Sequence, residues 1–114
     1  MYLAIRKYRK VEGDEKELMA RIQRGFVPLI SQIDGFVAYY CFFAEDGSLM
    51  SVNVYRDAEG AEASVRAAAR FVEQQLTAFL PEKPEVIEGD VLAHAQLPSR
   101  AELRTSAARD ERRP

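Results

Sequence analysis

The 114-residue chain contains no tryptophan, a single cysteine and a single histidine. Each shortage excludes something. Cys41 has no partner for an internal disulfide, so nothing in the sequence points to an oxidising compartment. Cys41 and His94 form no Cys/His ligand set at metal spacing, and a haem would find His94 as its only histidine ligand. There is no P-loop and no Gly-rich dinucleotide fingerprint. No apolar run is long enough to span a bilayer. The opening stretch MYLAIRKYRK sets charges inside its apolar pattern and lacks a signal-peptide h-region. Charge of one sign is also lacking: the net value is -2, which favours neither nucleic acid nor an anionic membrane as partner. The expectation is a soluble cytoplasmic protein.

What is present is an ordinary globular balance, 47% hydrophobic and 30% charged. The length suits one domain with a core of its own. From position 98 on the character changes. Five arginines there face three acidic residues, a surplus of two that leaves -4 on residues 1–97. The stretch is too poor in apolar residues to build a core element. Residues 1–97 are therefore predicted to be the domain, and 98–114 a mobile polar tail.

Periodicity divides the domain. The run YLAIRKYR predicts a first strand at about 2–10. Asp14 followed by Glu17 matches a capping box, and Leu18, Ile22, Phe26 and Leu29 then recur at helical spacing, flanked by Met19, Ile30 and Ile33. Gly25 and Pro28 predict a kink near Phe26, because proline lacks a backbone donor and clashes with the preceding turn. Strands at about 36–44 and 49–55 flank the turn at Asp46-Gly47. Asp57 is the predicted N-cap of a second helix, whose stripe is Ala61, Val65, Ala68, Val72, Leu76 and Phe79. Its small residues at 67–69 predict close packing on a sheet. Pro81 and Pro84 end it, and a last strand is predicted over about 85–94, with a break or bulge at Gly89. The order β-α-β-β-α-β gives a ferredoxin-like α+β fold: four antiparallel strands with both helices on one face.

The hairpin is apolar on both sides. Phe36, Ala38, Tyr40 and Phe42 alternate with Val37, Tyr39, Cys41 and Phe43. The helices cover one face only. A second copy of the chain, packed sheet to sheet about a two-fold axis, is the expected cover for the other, making a homodimer.

The stretches GF before YY, then DG, then SVNVYRDAEGAEAS, then an Ala-rich helix closing on P..PEV..G.V, resemble the dimeric α+β barrel proteins. Within them the chain is most similar to the antibiotic biosynthesis monooxygenase-like group, over roughly residues 1–95. The resemblance implies a pocket between sheet and helices. It also implies either oxygenases that use neither metal nor flavin, or haem degraders. Quinone-forming and haem-degrading members place a Trp at the end of strand three, where this chain has Tyr55. Haem degraders carry an Asn on strand one, where Arg6 stands, and a His on helix two, which has none here. The departures argue against haem, and no haem, flavin or metal is expected.

Arg6, Asn53 and Tyr55 are the candidate substrate-binding residues. On one face of the sheet they form a polar cluster suited to a phenolic or enolic substrate. Arg6 would stabilise an anion, Asn53 would hydrogen-bond a carbonyl, and Tyr55 would stack or donate. The other reading is a buried network in which Arg6 pairs with Asp90 or Glu88. No catalytic residue is singled out. His94 lacks a visible partner to set its tautomer, and Cys41 lacks the cationic neighbour of a nucleophile. Strand aromatics also occur on RNA-binding sheets, but those interleave them with basic residues on an open face. The residues leave two functions open: a cofactor-independent monooxygenase-like enzyme acting on a small aromatic or quinol-like substrate, or a non-catalytic dimeric module that binds a small ligand or serves a structural role. An enclosed cavity on which the three residues converge distinguishes the first from a filled core.

Overall fold

A computed structural model describes residues 1–97. Four strands, β1 (Tyr2–Tyr8), β2 (Phe36–Phe43), β3 (Leu49–Tyr55) and β4 (Glu85–Asp90), form one antiparallel sheet in the order β2-β3-β1-β4. The helical segments pack on one face of it. The predicted ferredoxin-like arrangement is the one observed. The tail from position 98, and its predicted mobility, lie outside the described residues.

The first helix starts where Asp14 accepts from the backbone N–H of Lys16 at 3.0 Å. Glu17 does not close the capping box. It pairs with Arg21 one turn on, at 3.0 Å. The helix runs as α1 (Glu15–Arg21), a π-helical turn (Ile22–Phe26) and α2 (Val27–Ser31). The π-turn is the form taken by the predicted kink, and Pro28 falls in the first turn of α2, where its missing N–H costs least. The turn also corrects the expected core stripe. One extra residue in the turn rotates every later side chain of the helix, so Ile30 is buried while Leu29 is 46% exposed. The buried series is Leu18, Ile22, Phe26 and Ile30.

In the second helix, α3 (Ala58–Phe71) leads into a second π-turn (Val72–Leu76). Asp57 caps it, accepting from Gly60 N–H at 3.0 Å. Ala61, Ala67 and Ala68 are buried, as close packing on the sheet requires. The approach is tightest at Gly60. A Cβ there would stand 2.7 Å from both the Asp34 carbonyl oxygen and the Tyr55 ring.

Two strand details differ from expectation. β4 ends at Asp90, so His94 lies beyond the strand and is exposed. No irregularity occurs at Gly89, which pairs with Leu3. The bulge lies in β2, between Phe36 and Ala38. It leaves Val37 exposed and turns Phe36 onto the helix side, opposite Tyr55, rather than with Ala38, Tyr40 and Phe42. The rings of Phe36 and Tyr55 meet edge-on at 5.7 Å.

The register fixes the two faces. Ala4, Arg6 and Tyr8 of β1, and Leu49, Ser51, Asn53 and Tyr55 of β3, are buried on the helix side. The other side carries Leu3, Ile5, Met50 and Val52, with Tyr40, Phe42 and Ile87 exposed by 60%, 49% and 52%. No described element covers it.

Candidate functional site

The polar residues of the helix face arise from strand alternation. Arg6 and Tyr8 are two apart on β1, and Arg6 stands opposite Ser51 on β3, which stands opposite Cys41 on β2. Tyr39 is next along β2 on the same face. Hydrogen bonds join them across the sheet. The Arg6 guanidinium donates from Nη1 to the Tyr8 hydroxyl at 2.8 Å and from Nη2 to Ser51 Oγ. Ser51 Oγ donates in turn to the Tyr39 hydroxyl at 3.0 Å. The guanidinium carbon lies 5.0 Å from the centre of the Phe26 ring, a cation–π contact supplied by the first helix.

Arg6 is only 4% exposed. The predicted carboxylate partners do not reach it. The ion pairs among the described residues are Lys7–Asp46, Arg9–Glu85 and Arg21–Glu17, and the hydroxyls of Tyr8 and Ser51 take the place of Asp90 or Glu88. Register gives the reason: Arg6 lies opposite Val86, while Glu88 and Asp90 lie opposite Ala4 and Tyr2. Arg6 Nε has no hydrogen-bond partner. Burial raises the pKa of Tyr39 well above the ordinary tyrosine value, and raises that of the Cys41 thiol. Tyr39 is thus a neutral phenol and no hidden counter-ion for Arg6.

Two spaces adjoin the guanidinium. A void of about 20 Å³ lies within the core among Arg6, Tyr39, Cys41, Ser51 and Phe71. A larger cleft, about 650 Å³, opens between β1, β4, the second helix and the loop that leads from it into β4. Arg6 and Tyr8 form its polar inner wall. Val65, Val72, Leu80 and Val86 line its sides, and the exposed Glu73, Glu82 and Lys83 stand at its mouth. It exists because α3 lies over the two central strands and leaves the helix-side face of β4 uncovered.

Arg6, Asn53 and Tyr55 share the predicted face, but only Arg6 lines the cleft. Asn53 Nδ2 donates to Ser64 Oγ at 2.8 Å, and Ser64 donates to the Ala61 carbonyl at 2.6 Å, so the amide ties β3 to α3. Its Oδ1 has no partner. The Tyr55 hydroxyl donates to the Ile30 carbonyl at 2.6 Å. Tyr8, Ser51 and Tyr39 were not among the predicted site residues. Their signal was present in the alternation that puts Tyr8 beside Arg6 and Ser51 beside Asn53. Which β2 residues join them depended on a bulge that periodicity does not mark. Among the described residues no three His, Cys, Asp or Glu side chains are grouped to hold a metal ion, and no helix is long and apolar enough to cross a membrane.

No family model matches the chain, and no curated protein matches it. Solved structures do share its fold, and among them are two that carry the name antibiotic biosynthesis monooxygenase, that of the group the sequence resembles. One is a monooxygenase from the gene ActVA-Orf6 of Streptomyces coelicolor, in complex with nanaomycin D. It is 19% identical, with a TM-score of 0.62 over 86% of this chain and 92% of that one. Another is a mutant of SnoaB, a cofactor-independent oxygenase from Streptomyces nogalater, at 17% identity and a TM-score of 0.57 over 86% and 97%. The NE2512 protein of Nitrosomonas europaea, of unknown function, is 18% identical with a TM-score of 0.64 over 86% and 94%. At these identities the likeness shows a common fold.

Proposed function

We propose that the protein is a cofactor-independent monooxygenase-like enzyme whose substrate is a small, electron-rich aromatic or quinol-like molecule. The observation that carries this reading is the cleft between sheet and second helix, apolar on its sides and closed at its inner wall by Arg6 and Tyr8. Apolar walls with a few convergent polar groups suit a flat aromatic ligand held in one orientation. The likeness to SnoaB and to the ActVA-Orf6 monooxygenase supports the same chemistry. In such a reaction the substrate is its own reductant. A ring methylene of a phenol-bearing ring system becomes a carbonyl with one oxygen atom of O2, and the other leaves as water with the two hydrogens. Arg6 would hold the oxygen on which electron density builds before O2 attack.

Oxygen uptake tests it. An oxygen electrode with the full-length protein and a panel of hydroxylated anthrones should record consumption above the uncatalysed rate, with the product one oxygen atom richer and two hydrogens poorer. Uptake at background across the panel would sink the enzymatic reading.

A specific observation favours the second reading, a non-catalytic small-ligand module. Asn53 and Tyr55 are both engaged in contacts that hold helices to the sheet. Ligand binding without oxygen uptake would select it.

We propose also that a second copy packs on the open face. That face carries Leu3, Ile5, Val52, Tyr40, Phe42 and Ile87, with the charged pair of positions Lys7 and Glu85 at one end of it. A continuous apolar patch of this kind is rare on a monomer, and a self-complementary two-fold contact covers it with no further element. The buried total should exceed about 1,000 Å², the scale of a specific interface.

A further inference from the structure

We infer that the cleft ligand is a flat organic oxyanion, charged before any reaction, whose acidic head answers the unpaired positive charge of Arg6. The inference rests on the reading of the cleft as a small-molecule site and goes beyond it by naming the charge of the occupant.

The argument starts from the cost of a buried cation. An arginine cannot shed its proton, so burial cannot be relieved by neutralisation. Native proteins pair such a charge, because leaving one buried and uncompensated is strongly destabilising. Arg6 is more than nine-tenths buried, yet no carboxylate lies within ion-pair distance among the described residues. Two neutral hydroxyls and an aromatic face solvate it in part. Its Nε is left without any acceptor. Such an arrangement is what remains when the natural counter-ion is not part of the protein.

The position of Arg6 says where that counter-ion sits. The residue lines the inner wall of the 650 Å³ cleft, and the other walls near it are Val65, Val72, Leu80 and Val86. An oxyanion at the wall meets a cation in surroundings of low dielectric, where the attraction is much stronger than in water. The Tyr8 hydroxyl accepts from Arg6 and keeps its own proton to donate to the same head. The carboxylates of Glu73 and Glu82 stand at the exposed mouth, where water screens them, and Lys83 stands with them. Small inorganic anions fit poorly, since nothing would then fill the apolar sides. The chemistry that fits is an aromatic ring system bearing a carboxylate or an ionised phenol or enol.

Isothermal titration of the full-length protein with 2-naphthoate and with 2-naphthamide tests this. The two are close in shape and differ in charge. The naphthoate should bind at least tenfold more tightly, and added salt should narrow the difference. Arg6→Gln should bring the naphthoate down to the affinity of the amide without changing the amide, whereas Arg6→Lys should keep a preference for the acid. Equal affinities in the unaltered protein would overturn the inference and leave the cleft as a site for neutral ligands. Binding of neither compound would overturn the inference together with the cleft as a ligand site. A preference that survives in Arg6→Gln would place the anion elsewhere. The comparison in the unaltered protein stands even if Arg6→Gln does not fold. Oxygen uptake is read separately, so a protein that prefers the acid but consumes no oxygen fails only as an enzyme.

Discussion

The hydroxyl of Tyr55 donates to the backbone carbonyl of Ile30 at 2.6 Å, so the last residue of β3 is bound to the end of the first helix. The ring itself is fully buried between Phe36 and Gly60. This residue is a strut. Tyr55→Phe keeps the ring and removes one hydrogen bond to a carbonyl that also accepts from Ile33 N–H. It should cost about 1 kcal/mol of stability and leave ligand binding in the cleft unchanged. Urea titration together with calorimetric titration of 2-naphthoate checks both halves. A loss of affinity at full stability would return Tyr55 to the site.

Arg6 should behave in the opposite way. Breaking a buried ion pair by removing one partner ordinarily costs about 3–5 kcal/mol. Arg6 has no such partner among the described residues, so its removal strands no carboxylate. Arg6→Met, which fills similar volume and removes the uncompensated charge, should leave the ligand-free protein at least as stable, with a gain of up to about 1–4 kcal/mol. Denaturant midpoints and slopes measured without ligand give the answer. A loss of several kcal/mol would mean that Arg6 supports the fold.

Alkaline pH should weaken the fold through Tyr39. Burial, the largest cause, raises its pKa above the ordinary 10.0. Tyr55 is shifted the same way for the same reason. A tyrosine with a raised folded pKa keeps its proton longer in the native state than in the unfolded chain. Its contribution is whole below about pH 10 and is lost as pH rises through the folded value. Stability should therefore fall from about pH 10 upward, and less steeply in Tyr39→Phe. Thermal melts between pH 8 and 11.5 would show it. A flat profile to the upper end would contradict the burial of both phenols.

Phe42 probes the open face. It is half exposed, lies opposite Met50 on β3, and makes no part of the helix-side core. Phe42→Glu should leave the monomer folded and shift the sedimentation of the full-length protein from dimer to monomer at micromolar concentration. Buried at an interface, the new charge would have no partner. A variant that remains dimeric would move the contact to another surface.

The sequence alone was enough for the element order, because strand alternation and the Leu18, Ile22, Phe26 spacing are local and period-bound. Asp57 as a cap and Asp46-Gly47 as a turn were legible for the same reason, since the backbone groups they satisfy are near neighbours. The second apolar face of β2 was legible as well. What tertiary structure decided was register. The π-turn at Ile22–Phe26 moved the stripe from Leu29 to Ile30, and the bulge before Ala38 decided which β2 residues face the helices. One inserted residue changes neither composition nor local propensity, yet it rotates every side chain after it. The same holds at the site. Alternation could put Arg6, Asn53 and Tyr55 on one face, but their partners come from elsewhere in the chain: Ser64 and Ile30 from the helices, Ser51 from across the sheet. Only the packed fold could show that two of the three are tied into it, and that the third is a buried charge facing a cleft.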